Sequence, residues 1–437
     1  MGHGGRPGDD DGLATASVTA LAAGVREGRW RAADLVEHAL AALEDVHGRT
    51  GCVAALDADG ARATAAQRDA VVAAGGPVGP LHGVPFTVKD WVDAAGLPCS
   101  GELDHRDRVP DEDATAVARL RTAGAVLVAK TAVQVDSALF GPVRNPHRPE
   151  RNPGASSSGE GAAVGGGASP FGLGSDSGGS IRVPAAWCGA AGLKPTAGRV
   201  PTTGHFPRVG PRSDGRTQIG PLTRHAGDLD LVLRVIAGPD GRDPGVAPVR
   251  LGAAADVHLP GLRLAWCTGE PGWEPQPAVR DAVEWAVATL TGADGLVGQG
   301  EAALRLDEAY DVTDRYWRRR ALTGAEAGRQ LRDWDRYARR ALVDHEDVDV
   351  VVLPAVREVA PVHRALVGED YAYTLPASLT GWPAAVVPVG WHDDLPVAVQ
   401  VLARPWRDDV ATAVATALAR AAAPATAGPG HRPGPPP

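Results

Sequence analysis

Residues 153–196 read PGASSSGEGAAVGGGASPFGLGSDSGGSIRVPAAWCGAAGLKPT. Two serine-glycine knots, Ser156-Ser157-Ser158-Gly159 and Asp176-Ser177-Gly178-Gly179-Ser180, flank small and apolar residues. Glycine just before a serine removes the Cβ that would hold the backbone away from a reacting atom. Successive amides in such a turn can converge on a developing negative charge, as an oxyanion hole requires. A flexible Gly/Ser linker is the plainer reading of this composition. Against it, Ile181-Arg182-Val183-Pro184 and Trp187-Cys188 follow at once, and flexible linkers are not punctuated this way.

Composition narrows the class. The 437 residues are 44% hydrophobic and 22% charged, ordinary for a globular enzyme. A net charge of −9, from 44 basic and 53 acidic residues, argues against nucleic acid as the main partner. No apolar run is long enough to span a membrane. The opening MGHGGRPGDDDG lacks an apolar signal core, and Arg6 stands where a myristoylation site needs Ser or Thr. Cys52, Cys99, Cys188 and Cys267 are widely spaced without a C-x-x-C, and the 13 histidines include no H-E-x-x-H. A reduced, cytoplasmic protein without a metal site is the expectation. Neither Gly159-x-Gly161 nor Gly172-x-Gly174 completes a dinucleotide fingerprint, and no phosphate-binding G-x-x-x-x-G-K-[ST] occurs. No G-x-S-x-G elbow is present either, although residue counts leave Ser-His-Asp chemistry open, since triad partners can be far apart.

Apolar spacing predicts helices over 17–26, 31–46, 61–74, 114–122, 277–290 and 407–421, with one or two more in 308–341. Buried strands are predicted at 125–130 and 348–354, and a further strand at 262–267. Leu81 to Trp91 alternates like a strand starting near Pro85. That alternation places Lys89 with Thr87 and Trp91 and turns Asp90 to the other face, so Asp90 is not expected to pair with Lys89. Residues 1–12 and 424–437 are rich in Gly or Pro and are expected to be disordered, leaving 13–423 as the folded part.

The central stretch resembles the signature of the amidase signature family of serine hydrolases. Gly174-Ser175-Asp176-Ser177-Gly178-Gly179-Ser180-Ile181-Arg182-Val183-Pro184, then Cys188-Gly189 and Gly192-Leu193-Lys194-Pro195-Thr196, match its pattern without a change. Gly83-Val84-Pro85-Phe86-Thr87-Val88-Lys89-Asp90 resembles its lysine motif, residues 380–388 and 395–402 resemble its closing strands, and the likeness runs over roughly 13–421. The resemblance implies an α/β fold, a single-domain α/β/α sandwich around a large twisted mixed β-sheet. It implies a cofactor-free amidase with Ser180 as nucleophile, Ser156 as bridging serine after a cis peptide bond, and Lys89 as terminal base. The amides of Ser177, Gly178, Gly179 and Ser180 would form the oxyanion hole. The implied partner is a small-molecule amide, with no nucleic acid and no membrane, and a homodimer is left open.

The chain also departs from the pattern. Ala155 and Ser158 replace glycines, Ser378 replaces an asparagine, and residues 132–139 form a shortened loop where the family shapes its active-site floor. A glutamine-dependent amidotransferase A-type subunit, delivering ammonia to a partner, is the alternative from another class. Such relatives place an Asp three residues before the Thr of Thr-x-Pro-x-Asn. Here Tyr371 stands before Thr374, with Asp370 one step away, which weighs against glutamine. A biosynthetic acyl transferase would use the same three residues. The run Arg315, Arg318, Arg319 reads as a solvated helix face rather than a substrate contact.

Overall fold

Alternation along the buried strands sets the layers. In the computed structural model, which describes residues 10–101, 107–211 and 214–426, thirteen strands are formed. They are β1 (Val53–Leu56), β2 (Pro85–Lys89), β3 (Val126–Thr131), β4 (Asp136–Ser137), β5 (Gly141–Pro142), β6 (Phe171–Asp176) and β7 (Ala191–Lys194). After these come β8 (Gln218–Thr223), β9 (Arg263–Trp266), β10 (Val297–Glu301), β11 (Val350–Pro354), β12 (Ala384–His392) and β13 (Leu395–Ala403). Eleven make one sheet in the order β1-β3-β2-β6-β8-β7-β12-β13-β11-β9-β10, while β4 and β5 pair with each other. The sheet is mixed: β3, β2 and β6 run parallel, β6 through β13 pair antiparallel, and β11, β9 and β10 run parallel again.

Successive residues of a strand point to opposite faces. In β3, Leu127 enters one apolar cluster and its neighbours Val126 and Val128 another; in β12, Ala385 and Val387 part from Val386 in the same way. One face is covered by the helices Val18–Arg26, Thr115–Thr122, Leu229–Ile236 and Asp408–Thr426. Ala32–Thr50, Ser158–Gly165 and Arg182–Cys188 cover the other. Helices on both faces of one mixed sheet are the expected α/β/α arrangement.

The helices expected from spacing form, with shifted ends. Residues 308–341 become Leu306–Trp317 and Gly324–Asp344, the second opened by a capping box between Thr323 and Glu326. At the amino end a helix over Asp10–Thr15 begins inside the stretch expected to be unstructured. Its Leu13 is buried in the core, and Arg224 donates to the Ala14 carbonyl. At the other end the last helix runs to Thr426, past Pro424, with Ala422 buried. Residues 1–9 and 427–437 lie outside the described residues.

Helix Ser158–Gly165 approaches the sheet closely over β6. A Cβ on Gly172 would fall 1.7 Å from Glu160 Oε1 and 2.6 Å from Thr87 Oγ1. Glu160 cannot move aside without losing hydrogen bonds from Thr87 and Thr131 inside a fully buried site. Gly172→Ala is therefore expected to lower stability by about 3 kcal/mol, an overpacking cost that urea unfolding followed by circular dichroism will read.

Candidate active site

The carboxyl ends of the parallel strands β2 and β6 deliver Lys89 and Ser175 side by side. Clefts outside the carboxyl ends of strands are where open α/β sheets hold their ligands. Lys89 is fully buried. Its Nζ lies 2.7 Å from Ser156 Oγ, 3.0 Å from Ser175 Oγ and 3.4 Å from the Ser175 carbonyl, with the Trp91 ring centroid 4.3 Å away. Burial lowers its pKa from the usual lysine range to about 7, against the opposing pull of Asp176, Asp90 and Glu160. Asp90 itself accepts from Ser100 and from the Gly101 amide, as the alternation of the strand anticipated.

The proton inventory around Lys89 is determined by a residue with no sequence signal. His205 Nδ1 sits 2.8 Å from the Pro207 carbonyl, which can only accept, so Nδ1 carries the proton. Burial pushes this imidazole down to about 4 and keeps it neutral, so Nε2, 3.0 Å from Ser175 Oγ, accepts. The Ser175 hydroxyl therefore spends its proton on His205 and presents lone pairs to Lys89. A neutral Lys89 can then direct its two N–H bonds at the oxygen atoms of Ser175 and its lone pair at Ser156.

The second serine-glycine knot is held open by Asp176. Its carboxylate accepts from the amides of Gly179 (2.8 Å), Ile181 (3.1 Å) and Arg182 (3.3 Å) and forms a fully buried pair with the Arg182 guanidinium. Burial alone would raise its pKa, but the charge and hydrogen bonds of Arg182 outweigh that and hold it at about 2. Arg182 reaches onward to the Thr374 carbonyl, Ser378 Oγ and Gln400 Oε1. Gly179 has φ 137°, which favours glycine, and a Cβ there would strike Thr374 Oγ1 at 2.5 Å.

Ser180 is half-buried, and among the described residues its hydroxyl has no hydrogen-bond partner. The amides of Ser177, Gly178 and Ser180 likewise donate to no acceptor among the described residues, whereas that of Gly179 is committed to Asp176. Of the four amides expected to form an oxyanion hole, that of Gly179 is therefore already engaged.

A profile described as Amidase matches residues 34–299 and 301–411. The chain belongs to the amidase signature family. Among its relatives in this family is the A-type subunit of a glutamyl-tRNA(Gln) amidotransferase from Roseiflexus sp. (strain RS-1), 33% identical over 87% of this chain and 91% of that one. An acylamidase of Rhodococcus erythropolis is 30% identical over 91% of this chain and 94% of the other. The solved structure of 6-aminohexanoate cyclic dimer hydrolase complexed with substrate superposes with a TM-score of 0.82 at 26% identity, covering 95% of this chain and 98% of that chain. The protein is an enzyme of the amidase class.

Against the family pattern, the expected cis bond before Ser156 is not formed: the only cis peptide among the described residues is Phe206–Pro207. Ala155 carries a Cβ into a tight turn, and the unusual backbone conformation falls one residue earlier, on Gly154 with φ 122°. Ser156 still meets Lys89, but no hydrogen bond joins Ser156 to Ser180. Ser158, the other replaced glycine, donates to the Gln134 carbonyl and so ties the shortened 132–139 loop to this helix start. Ser175 and His205 escaped the sequence reading; only the strand register beside Lys89 and the fold back of 204–207 reveal them.

Asp176→Asn leaves Arg182 buried without its counter-charge. The variant is expected to lose about 3 to 5 kcal/mol of stability. Denaturant unfolding at neutral pH, where the carboxylate of the parent chain is ionised, checks this.

Proposed function

We propose that the protein hydrolyses a carboxylic amide through Ser180, Ser156 and Lys89 by way of a covalent acyl-enzyme. The observation that carries the reading is the buried Lys89 amine, its pKa lowered to about 7, set 2.7 Å from Ser156 Oγ with its other partners on Ser175. A serine hydroxyl must lose its proton as it attacks a carbonyl, and a base with pKa near the working pH serves best. Ser180 attacks the carbonyl carbon and passes its proton to Ser156, whose own proton moves to Lys89. The tetrahedral oxyanion is met by the amides of Ser177, Gly178 and Ser180, one such donor being worth about 3 kcal/mol. The relay then runs backward to protonate the leaving amine, and water releases the acyl group. The missing Ser180–Ser156 link is of the kind that tightens in the substrate complex.

The second reading, glutamine-dependent ammonia delivery to a partner enzyme, draws on the likeness to the A-type amidotransferase chain. It is disfavoured at the position that would hold an amino group. Tyr371 packs its ring against Trp317, and Asp370 is locked by two 2.7 Å hydrogen bonds to Arg364.

Ser180→Ala is expected to abolish hydrolysis while leaving the fold intact. Mass spectrometry should find acyl-enzyme on the parent protein after an ester or amide pulse and none on the variant; acylated variant would remove Ser180 from the mechanism.

The pH dependence has a definite sign. Neutral Lys89 is the competent form, so kcat/KM is expected to fall about tenfold per pH unit below about 7 and to level off above it. Between about 7 and the unfolded value of 10.5 the unfolded chain binds more protons at this lysine than the folded one does. Its contribution to stability therefore rises with pH across that window. Lys89→Met should remove most activity and the acid limb together; a persisting limb would assign it to another group.

A further inference from the structure

Arg216 is almost fully buried, and its terminal nitrogens are unpaired. Its Nε donates to the Ser177 carbonyl at 3.1 Å, while Nη1 and Nη2 have no hydrogen-bond partner and no carboxylate among the described residues forms an ion pair with it. Asp214, two residues away in the chain, is engaged elsewhere: it accepts from the Tyr316 hydroxyl at 2.5 Å and lies 3.8 Å from Arg319. The guanidinium is held over aromatic rings, 4.6 Å from the centroid of Tyr316 and 5.8 Å from that of Trp334. Buried charges in proteins are otherwise paired, because an unpaired one costs several kcal/mol, and an arginine cannot escape by losing its proton.

The free end of this side chain lies against the loop that carries the free oxyanion donors. A Cβ built on Gly178 would sit 3.6 Å from Arg216 Nη2 and 3.2 Å from the Trp317 ring. Gly178 does not adopt a left-handed φ, so glycine there lets the guanidinium and Trp317 pack close against the loop rather than relieving the backbone. A planar fork with both terminal nitrogens free is matched by one group above others, a carboxylate bound through both oxygens.

We propose that Arg216 is the specificity-determining residue of this enzyme and that its substrate is an amide bearing a carboxylate, seated on Nη1 and Nη2 beside the oxyanion donors. The inference rests on the hydrolytic reading only for the position of the scissile bond; the anion site stands apart from turnover. Removing Arg216 would remove a liability of the free protein, so Arg216→Met is expected to unfold at a temperature no lower than the parent. A merely structural arginine would give a lower one.

Two measurements separate the anion site from the chemistry. Calorimetry on Ser180→Ala, which needs no turnover, should show succinate or glutarate binding that weakens at least thirtyfold when Arg216→Gln is added and is only partly retained with Arg216→Lys. In the active enzyme, the ratio of kcat/KM for succinamate or glutaramate over the corresponding neutral diamide should fall about a hundredfold on Arg216→Gln, carried mainly by KM. Absence of dicarboxylate binding, equal binding with and without Arg216, or an unchanged ratio would overturn the proposal. A dicarboxylate that binds through Arg216 to a protein hydrolysing no amide would instead sustain the anion site and sink the hydrolytic reading.

Discussion

A carboxylate and a guanidinium with no exposure, Asp176 and Arg182, hold the turn that carries Ser180 in shape. The pair spans only six residues, but Arg182 carries its reach to Thr374, Ser378 and Gln400, joining the turn after β6 to the helix Leu375–Thr380 and to β13. A buried ion pair gains little net stability over an apolar replacement. What it supplies here is geometry: Asp176 collects the amides of Gly179, Ile181 and Arg182, while those of Ser177, Gly178 and Ser180 donate to no acceptor among the described residues. The serine in place of asparagine at position 378 keeps an acceptor for Arg182, so the departure does not break the network.

The same low-dielectric interior acts in opposite directions on neighbouring groups. It pulls Lys89 down to about 7 and pushes Glu160 up to about 7, although Thr87 and Thr131 donate to the Glu160 carboxyl. Asp176 escapes this trend because Arg182 neutralises it, and His205 follows it and stays uncharged. Neutral His205 is what makes the arrangement directional. With its Nε2 accepting, Ser175 can only accept from Lys89, and the lysine lone pair is left for Ser156.

Much of this was legible in the sequence, for physical reasons. Alternation around Lys89 correctly separated it from Asp90, since a strand gives neighbours opposite faces. The apolar spacing located the helices, and Gly178-Gly179-Ser180 announced a turn that tolerates no Cβ. Contacts that depend on strand pairing or on a returning loop were not legible: Ser175 lies beside Lys89 because β6 pairs with β2, and His205 arrives from a segment after β7. The trans bond before Ser156 was missed because the turn places its strain on Gly154, a residue the motif shares with its relatives, and leaves Ala155 ordinary.

The arginines make the same point about charge. Arg315, Arg318 and Arg319 form the conspicuous cluster in the sequence, yet each has an aspartate in reach: Asp333, Asp314 and Asp214. Arg216 stands alone in Asp214-Gly215-Arg216-Thr217, with an aspartate two residues away that sequence reasoning would naturally pair with it. Tyr316 donates to that aspartate instead, and its ring covers the guanidinium. A cation kept dry, stacked and unpaired beside the turn that carries Gly178 is poised to gain more from an arriving carboxylate than any solvated arginine could. The desolvation of the cation has already been met in folding, so binding need not meet it again.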